Sequence, residues 1–238
     1  MAQVFPRSAN TLARVSLFCV VAGPLAILLT GSAITRSGFN TKVDVPLDQP
    51  VPFSHEHHVN ELGIDCRYCH TSVTKSSFAG IPPTYTCMSC HSQIWTNSPL
   101  LKPVRDSLAT GEPLQWVRVN KLPDFVYFDH SIHINRGINC NVCHGPVHRM
   151  QLTYKGKPFF MSFCVNCHRN PEGYLRPRED VFNLYVKYQR GDISAEDRRM
   201  LDDPDYVPSP AQVAKGKQLV KEYGIKKAQL TDCWICHR

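Results

Sequence analysis

From Val15 to Ile34 the chain runs through twenty residues without a charge, VSLFCVVAGPLAILLTGSAI, with Arg7 and Arg14 before it and Arg36 after it. That is long enough to cross a bilayer as one helix. Gly31-Ser32-Ala33 offers a passable cleavage site and hence a competing signal-peptide reading; the expectation is an uncleaved anchor. Pro24 predicts a slight kink, and Cys19 reads as a small, buried apolar residue. Near the other end the pattern turns helical with polar faces. In RPREDVFNLYVKYQRG, Val181, Leu184, Tyr185 and Tyr188 share one face with Gly191 as a stop, and SPAQVAKGKQLVKEYG opens at Ser209-Pro210 and closes at Gly224. Eighteen prolines and a mean hydropathy of -0.27 predict a mostly irregular chain with short α-helices. Three parts are expected: 1–36 as N-terminal arm and anchor, 37–168 as the central region, and 169–238 as a helical tail.

The cysteines say what organises the middle. Cys66-Arg-Tyr-Cys-His70 is one of five copies of a Cys-x-x-Cys-His frame. The others are Cys87 to His91, Cys140 to His144, Cys164 to His168 and Cys233 to His237, with second cysteines Cys69, Cys90, Cys143, Cys167 and Cys236. Ten of the eleven cysteines are used. Zinc needs four-ligand sets and has no use for a His after every second Cys. A thioredoxin-like site needs one exposed motif at a helix start. Covalent haem attachment needs the whole frame, because two thiols on one turn add across the vinyl groups of one porphyrin and the next residue carries an imidazole to the iron. Five covalently bound haem c groups are therefore expected, with His70, His91, His144, His168 and His237 as proximal ligands.

This changes how the rest of the composition is read. About 200 residues beyond Thr35 serve five porphyrins, roughly forty each, so the interior is expected to be stacked haem wrapped in chain. The formal charge of +7 is offset by haem propionates once Lys and Arg pair with them. No lysine run or aromatic-basic interleaving suggests nucleic acid. Haem is attached on the oxidising side of the bacterial inner membrane, and the arm before the anchor carries arginines without acids. The N-terminus is thus expected inside and the haem region on the periplasmic side.

Six histidines lie outside the motifs. PFSHEHHV at 52–59 and YFDHSIHI at 127–134 share Phe-x-His-x-x-His, each ten or eleven residues before a Cys-x-x-Cys-His. A second motif follows 21 residues on in one case and 24 in the other. A two-haem unit is thus used twice, about 53–91 and 128–168, joined by a linker bearing Pro99, Pro103, Pro113 and Pro123. His at i and i+3 point to similar faces, so one helical turn offers imidazoles to two irons. His55, His58, His130 and His133 are the expected distal ligands, and His57, out of that register, an ordinary surface histidine.

The repeat resembles class III multihaem cytochromes, in which the first such His serves the next haem and the second the haem after it. The resemblance implies the pairs His55 with His70, His58 with His91, His130 with His144 and His133 with His168. AGIPPTYTCMSCH and CNVCHGPVHRMQLTYKGKPFFMSFCVNCHRNPE, behind one membrane helix, resemble the pentahaem cytochrome subunit of alternative complex III, a quinol-oxidising respiratory complex, over about residues 12–170. The second tail helix is similar to the helix before the motif of monohaem cytochromes c.

Because the sequence given ends one residue after His237, the sixth ligand of the fifth haem is expected upstream. Small class III cytochromes place a comparable donor just before a later motif, which favours Met161, with Met150 and His148 as alternatives. The resemblance implies an electron-transfer subunit of a quinol:acceptor oxidoreductase rather than a catalyst by itself. Its implied partners are an iron–sulfur protein subunit, multispan quinol-binding membrane subunits, and a monohaem cytochrome or other soluble acceptor. The alternative is a small membrane-anchored multihaem quinol dehydrogenase, against which stands the separation of 32 positions from Ile34 to Cys66.

Overall fold

The computed structural model describes residues 4–6 and 8–237; Arg7, one of the arginines flanking the apolar stretch, lies outside them. The chain divides into two compact units, one ending at Val43 and the other starting at Asp44.

The first unit is built on α1 (Ala9–Arg36), 28 residues long, or about 42 Å against the roughly 30 Å of a bilayer's hydrocarbon core. It is long and apolar enough to cross a membrane. The helix continues through Pro24, and the Thr30 hydroxyl donates back to Ala26 O at 2.7 Å. Cys19 is exposed, contrary to the buried position expected, on a helix that has no buried residue. A short turn, α2 (Gly38–Thr41), follows.

The second unit has no strands among its described residues, only isolated bridges, and short helices joined by irregular chain, which is the fold class the sequence predicts. A π-helical turn (Glu56–Glu61) leads to α3 (Cys66–Cys69) and α4 (Thr84–His91). The proline-bearing linker is not featureless: α5 (Lys102–Thr110) packs Val104 with Val51 and Leu101. Then come α6 (His130–Ile134), α7 (Cys140–His144) and α8 (Met161–Arg169). The tail holds α9 (Asp180–Arg190), α10 (Ala195–Asp202), α11 (Pro210–Glu222) and α12 (Cys233–Cys236).

The tail helices form where their signals lie. Val181, Leu184 and Tyr185 are buried and Gly191 ends α9 at φ +79°. Ser209 caps α11 by accepting from Gln212 N. Apolar burial is divided into small clusters, three of which contain tail residues. Val181 and Phe182 pack on Val73 and Ile134, one from each repeat unit. Leu219 and Tyr223 pack on Ile138 and Leu175. The tail thus clamps the two units together. α11 crosses the turn at Pro171–Gly173 so closely that a Cβ on Gly216 would lie 1.8 Å from Glu172 O. Arg176, 1% exposed, anchors the same region through Asp197 at 2.7 Å and the Tyr206 hydroxyl at 3.2 Å.

Candidate haem-binding sites

Each Cys-x-x-Cys lies on a single helical turn, so both thiols of a pair come from one short rigid piece. Asp65 caps α3 by accepting from Arg67 N, and Asn139 caps α7 by accepting from Asn141 N. None of the eleven cysteines is in a disulfide.

The two Phe-x-His-x-x-His segments fold alike around their phenylalanines. Phe53 meets His55 edge-on at 4.9 Å and lies over His58 at 4.5 Å; Phe128 meets His130 at 4.8 Å and His133 at 4.5 Å with the same angles to within a degree. One difference separates them. His55 stands eleven residues before its cysteine and His130 ten. The first segment takes up the extra residue as a π turn, whereas the second is α-helical. Ile64 N therefore donates to His58 O six residues back, and Ile138 N to His133 O five back. Gly63 and Gly137, both at positive φ, end the two turns.

Four pairs of imidazoles face one another. The ring centroids are 6.5 Å apart for His55 and His70, 6.2 Å for His58 and His91, 6.2 Å for His130 and His144, and 6.1 Å for His133 and His168. Interplanar angles are 9°, 64°, 2° and 23° in that order. With imidazole–metal bonds of about 2.0 Å on each side, a metal between two opposed rings holds their centroids about 6 Å apart. The donors come in twos: among the described residues no three His, Cys, Asp or Glu side chains converge to hold an ion by themselves.

The second ring nitrogens are also fixed. Nδ1–H donates to a backbone carbonyl in His58 (Ser54 O, 2.8 Å), His70 (Gly80 O, 2.7 Å), His91 (Ile94 O, 3.1 Å), His130 (Ser77 O, 2.8 Å) and His133 (Asp129 O, 2.7 Å). His168 donates to Leu230 O at 2.8 Å and His237 to Phe125 O at 3.2 Å. A carbonyl only accepts, so Nδ1 carries the proton and Nε2 keeps its lone pair for a metal. Burial, then neighbouring imidazoles, lower His55 to about 3 and His144 to about 4, which keeps both rings neutral. This donor set fits six-coordinate haem iron.

The fifth motif lies partly open. Cys233 is exposed, as is Trp234, and His237 lies beside the Phe125 ring at 5.9 Å. Of the three upstream candidates for its sixth ligand, two are enclosed by protein. His148 is 1% exposed, takes a hydrogen bond from Asn141 on Nδ1 and packs against Tyr185 and Tyr188. Met150 is 2% exposed, whereas Met161 is exposed in the first turn of α8. His57 pairs with Glu61 at 2.7 Å and lies against Trp95, on the surface. The carbonyl partners on Nδ1 carry no signal in the sequence, because any residue type presents a carbonyl and the contacts span up to 112 residues.

Along 144 aligned residues the chain is 33% identical to the multihaem cytochrome c subunit of menaquinone reductase from Nitratidesulfovibrio vulgaris (strain Hildenborough), covering 52% of this chain and 69% of that protein. The chain belongs to the family of multihaem cytochrome c subunits. Membership implies covalently bound haem c and electron transfer in a quinone-linked membrane complex. No family model matches the chain.

Proposed function

We propose that this multihaem cytochrome carries five haem c groups on its five Cys-x-x-Cys-His motifs and serves as an electron conduit anchored to the inner membrane by α1, with its haem region on the periplasmic side. Four of the haems are held by the pairs His55/His70, His58/His91, His130/His144 and His133/His168, and the fifth by His237 with Met161. The observation that carries this reading is the facing of four imidazole pairs at the separation an iron requires. An iron with imidazoles on both sides has no position left for a substrate, so its chemistry is one-electron exchange.

Within its complex the chain exchanges electrons between an iron–sulfur subunit, quinone-binding multispan subunits and a monohaem cytochrome or other soluble carrier. Two likenesses support this. The sequence resembles a subunit of a quinol-oxidising complex, and the relative belongs to a menaquinone reductase. Both likenesses are to chains that belong to quinone-linked complexes. Purification from native membranes tests the proposal: iron–sulfur and multispan proteins are expected to accompany the chain, and the isolated chain is expected not to oxidise or reduce a quinone. Quinol oxidation by the isolated chain would replace this reading with the small quinol dehydrogenase.

A further inference from the structure

The order of the five motifs along the chain is not their order in space. The second motif meets the first: the Tyr68 hydroxyl, inside Cys66–Cys69, lies 2.8 Å from Ser89 Oγ, inside Cys87–Cys90. Among the described residues no hydrogen bond, ion pair or ring contact joins Thr84–His91 to residues 128–168.

The first motif meets the third. Cys66 and Cys140 both pack against the cluster of Val73, Ile134, Val181 and Phe182. The contacts around them are reciprocal. His130 of the second unit donates from Nδ1 and from its backbone N to Ser77 O of the first, at 2.8 and 3.2 Å. His55 of the first unit has Thr153 Oγ1 of the second 3.1 Å from its Nδ1, and Glu56 N donates to Met150 O at 3.1 Å. Each unit therefore orients the first distal histidine of the other.

From there the path continues in chain order. The His144 ring of the third motif lies 6.1 Å from the Phe159 ring, which in turn lies 5.8 Å from the ring of Phe163 in α8, the helix that carries the fourth. His168 of the fourth donates to Leu230 O at 2.8 Å, three residues before the fifth.

We infer that the five haem sites stand in single file in the order second, first, third, fourth, fifth, with Cys66 and Cys140 at the junction of the two repeat units and the second and fifth sites at the ends. Thr153 and Ser77 are positioning residues of that junction. The inference rests on the five-haem reading above.

The test injects electrons at one end. With Cys19 replaced by Ser and Thr231→Cys supplying the single free thiol, a ruthenium photosensitiser is attached beside the fifth site. A tertiary-amine donor reduces the excited complex, which passes one electron to a ferric haem. His55→Met and His58→Met, made separately in a Met161→His background that removes the His/Met band and raised potential of the fifth site, convert the first or the second site into the one His/Met iron of raised potential, whose charge-transfer band bleaches as the electron arrives. Bleaching earlier in His55→Met than in His58→Met is expected; the reverse order overturns the inference. As a second arm, Cys87→Ala with Cys90→Ala removes the second haem from the His55→Met protein. Arrival at the first site is expected to keep its rate, and a hundredfold slowing would overturn the file. Each protein is first weighed denatured. A parent mass showing fewer than five porphyrins counts against the five-haem reading, and leaves the order to be judged from the two arrival times.

Discussion

Thr153 Oγ1 lies 3.1 Å from Nδ1 of His55, across 98 residues of chain. Where most of the histidines expected as ligands are oriented by a backbone carbonyl, this one has a side chain that substitution removes. Thr153→Val keeps the shape and deletes the oxygen. The Nδ1 proton then loses its acceptor, the imidazole becomes a poorer donor to ferric iron, and one midpoint potential is expected to rise while the others stay. A redox titration followed in the haem bands checks it; an unchanged set of potentials would show that Thr153 does not position His55.

His130 and His144 face each other with their ring planes 2° apart, so the distal member is open to a direct test. His130→Ala, like His55→Ala, His58→Ala and His133→Ala, is expected to convert one low-spin haem of the set to high spin. His57→Ala is expected to leave the spectrum unchanged, since that ring pairs with Glu61 on the surface. Magnetic circular dichroism of the oxidised protein distinguishes the two outcomes. A low-spin signal of unchanged intensity in any of the four would remove that residue from the ligand set.

Met161 stands apart from its rivals by exposure, 68% against 2% for Met150 and 1% for His148. A thioether raises the haem potential relative to imidazole, so one haem of the parent is expected well above the others, with a His/Met charge-transfer band in the near infrared. Met161→His is expected to abolish the band and lower that potential. Five His/His haems in the parent would exclude both methionines.

Much of this architecture was legible because its signals are local. The motifs, the twenty-residue apolar run, the face of α9 and the stops at Gly191 and Gly224 all depend on residues within a few turns of one another. The doubling of Phe-x-His-x-x-His was equally visible, down to its spacings of eleven and ten. What that one-residue difference does was not: only the backbone shows that the π turn at Glu56–Glu61 absorbs it. Helix α10 was missed although Ser194 caps it by accepting from Asp197 N, because its eight residues carry no strong apolar period. The packing of Cys66 and Cys140 on one apolar cluster and the carbonyl partners of the histidines come from chain packing over long separations, on which no local pattern reports.

Gly216 tests how the tail is held. The crossing of α11 over Pro171–Gly173 brings backbone against backbone, and a Cβ would also lie 2.5 Å from the Glu172 carbonyl carbon. Neither atom belongs to a side chain that can swing away. Gly216→Ala is expected to cost about 2–3 kcal/mol, a fall of about 5–10 °C in Tm, without altering the haem spectrum. A Tm within 1 °C of the parent would mean that the helix shifts freely.

Acid should loosen the same tail at a second point. Burial by itself would raise the Glu196 carboxyl, but the Tyr206 hydroxyl at 2.6 Å, the Ser209 amide at 3.0 Å and Arg199 at 2.8 Å outweigh it and hold the group at about 2, below its ordinary 4.5. A carboxyl depressed on folding binds its proton more readily in the unfolded chain. Its contribution is therefore present in full above pH 4.5 and lost as the pH falls towards 2. Stability measured by denaturant titration is expected to fall across that window, and Glu196→Gln, which keeps the shape and removes the charge, to flatten part of the fall while lowering stability at pH 7. Tyr206→Phe should move in the same direction by less, since the amide and Arg199 remain. Identical pH profiles for the parent and Glu196→Gln would show that the acid sensitivity lies elsewhere.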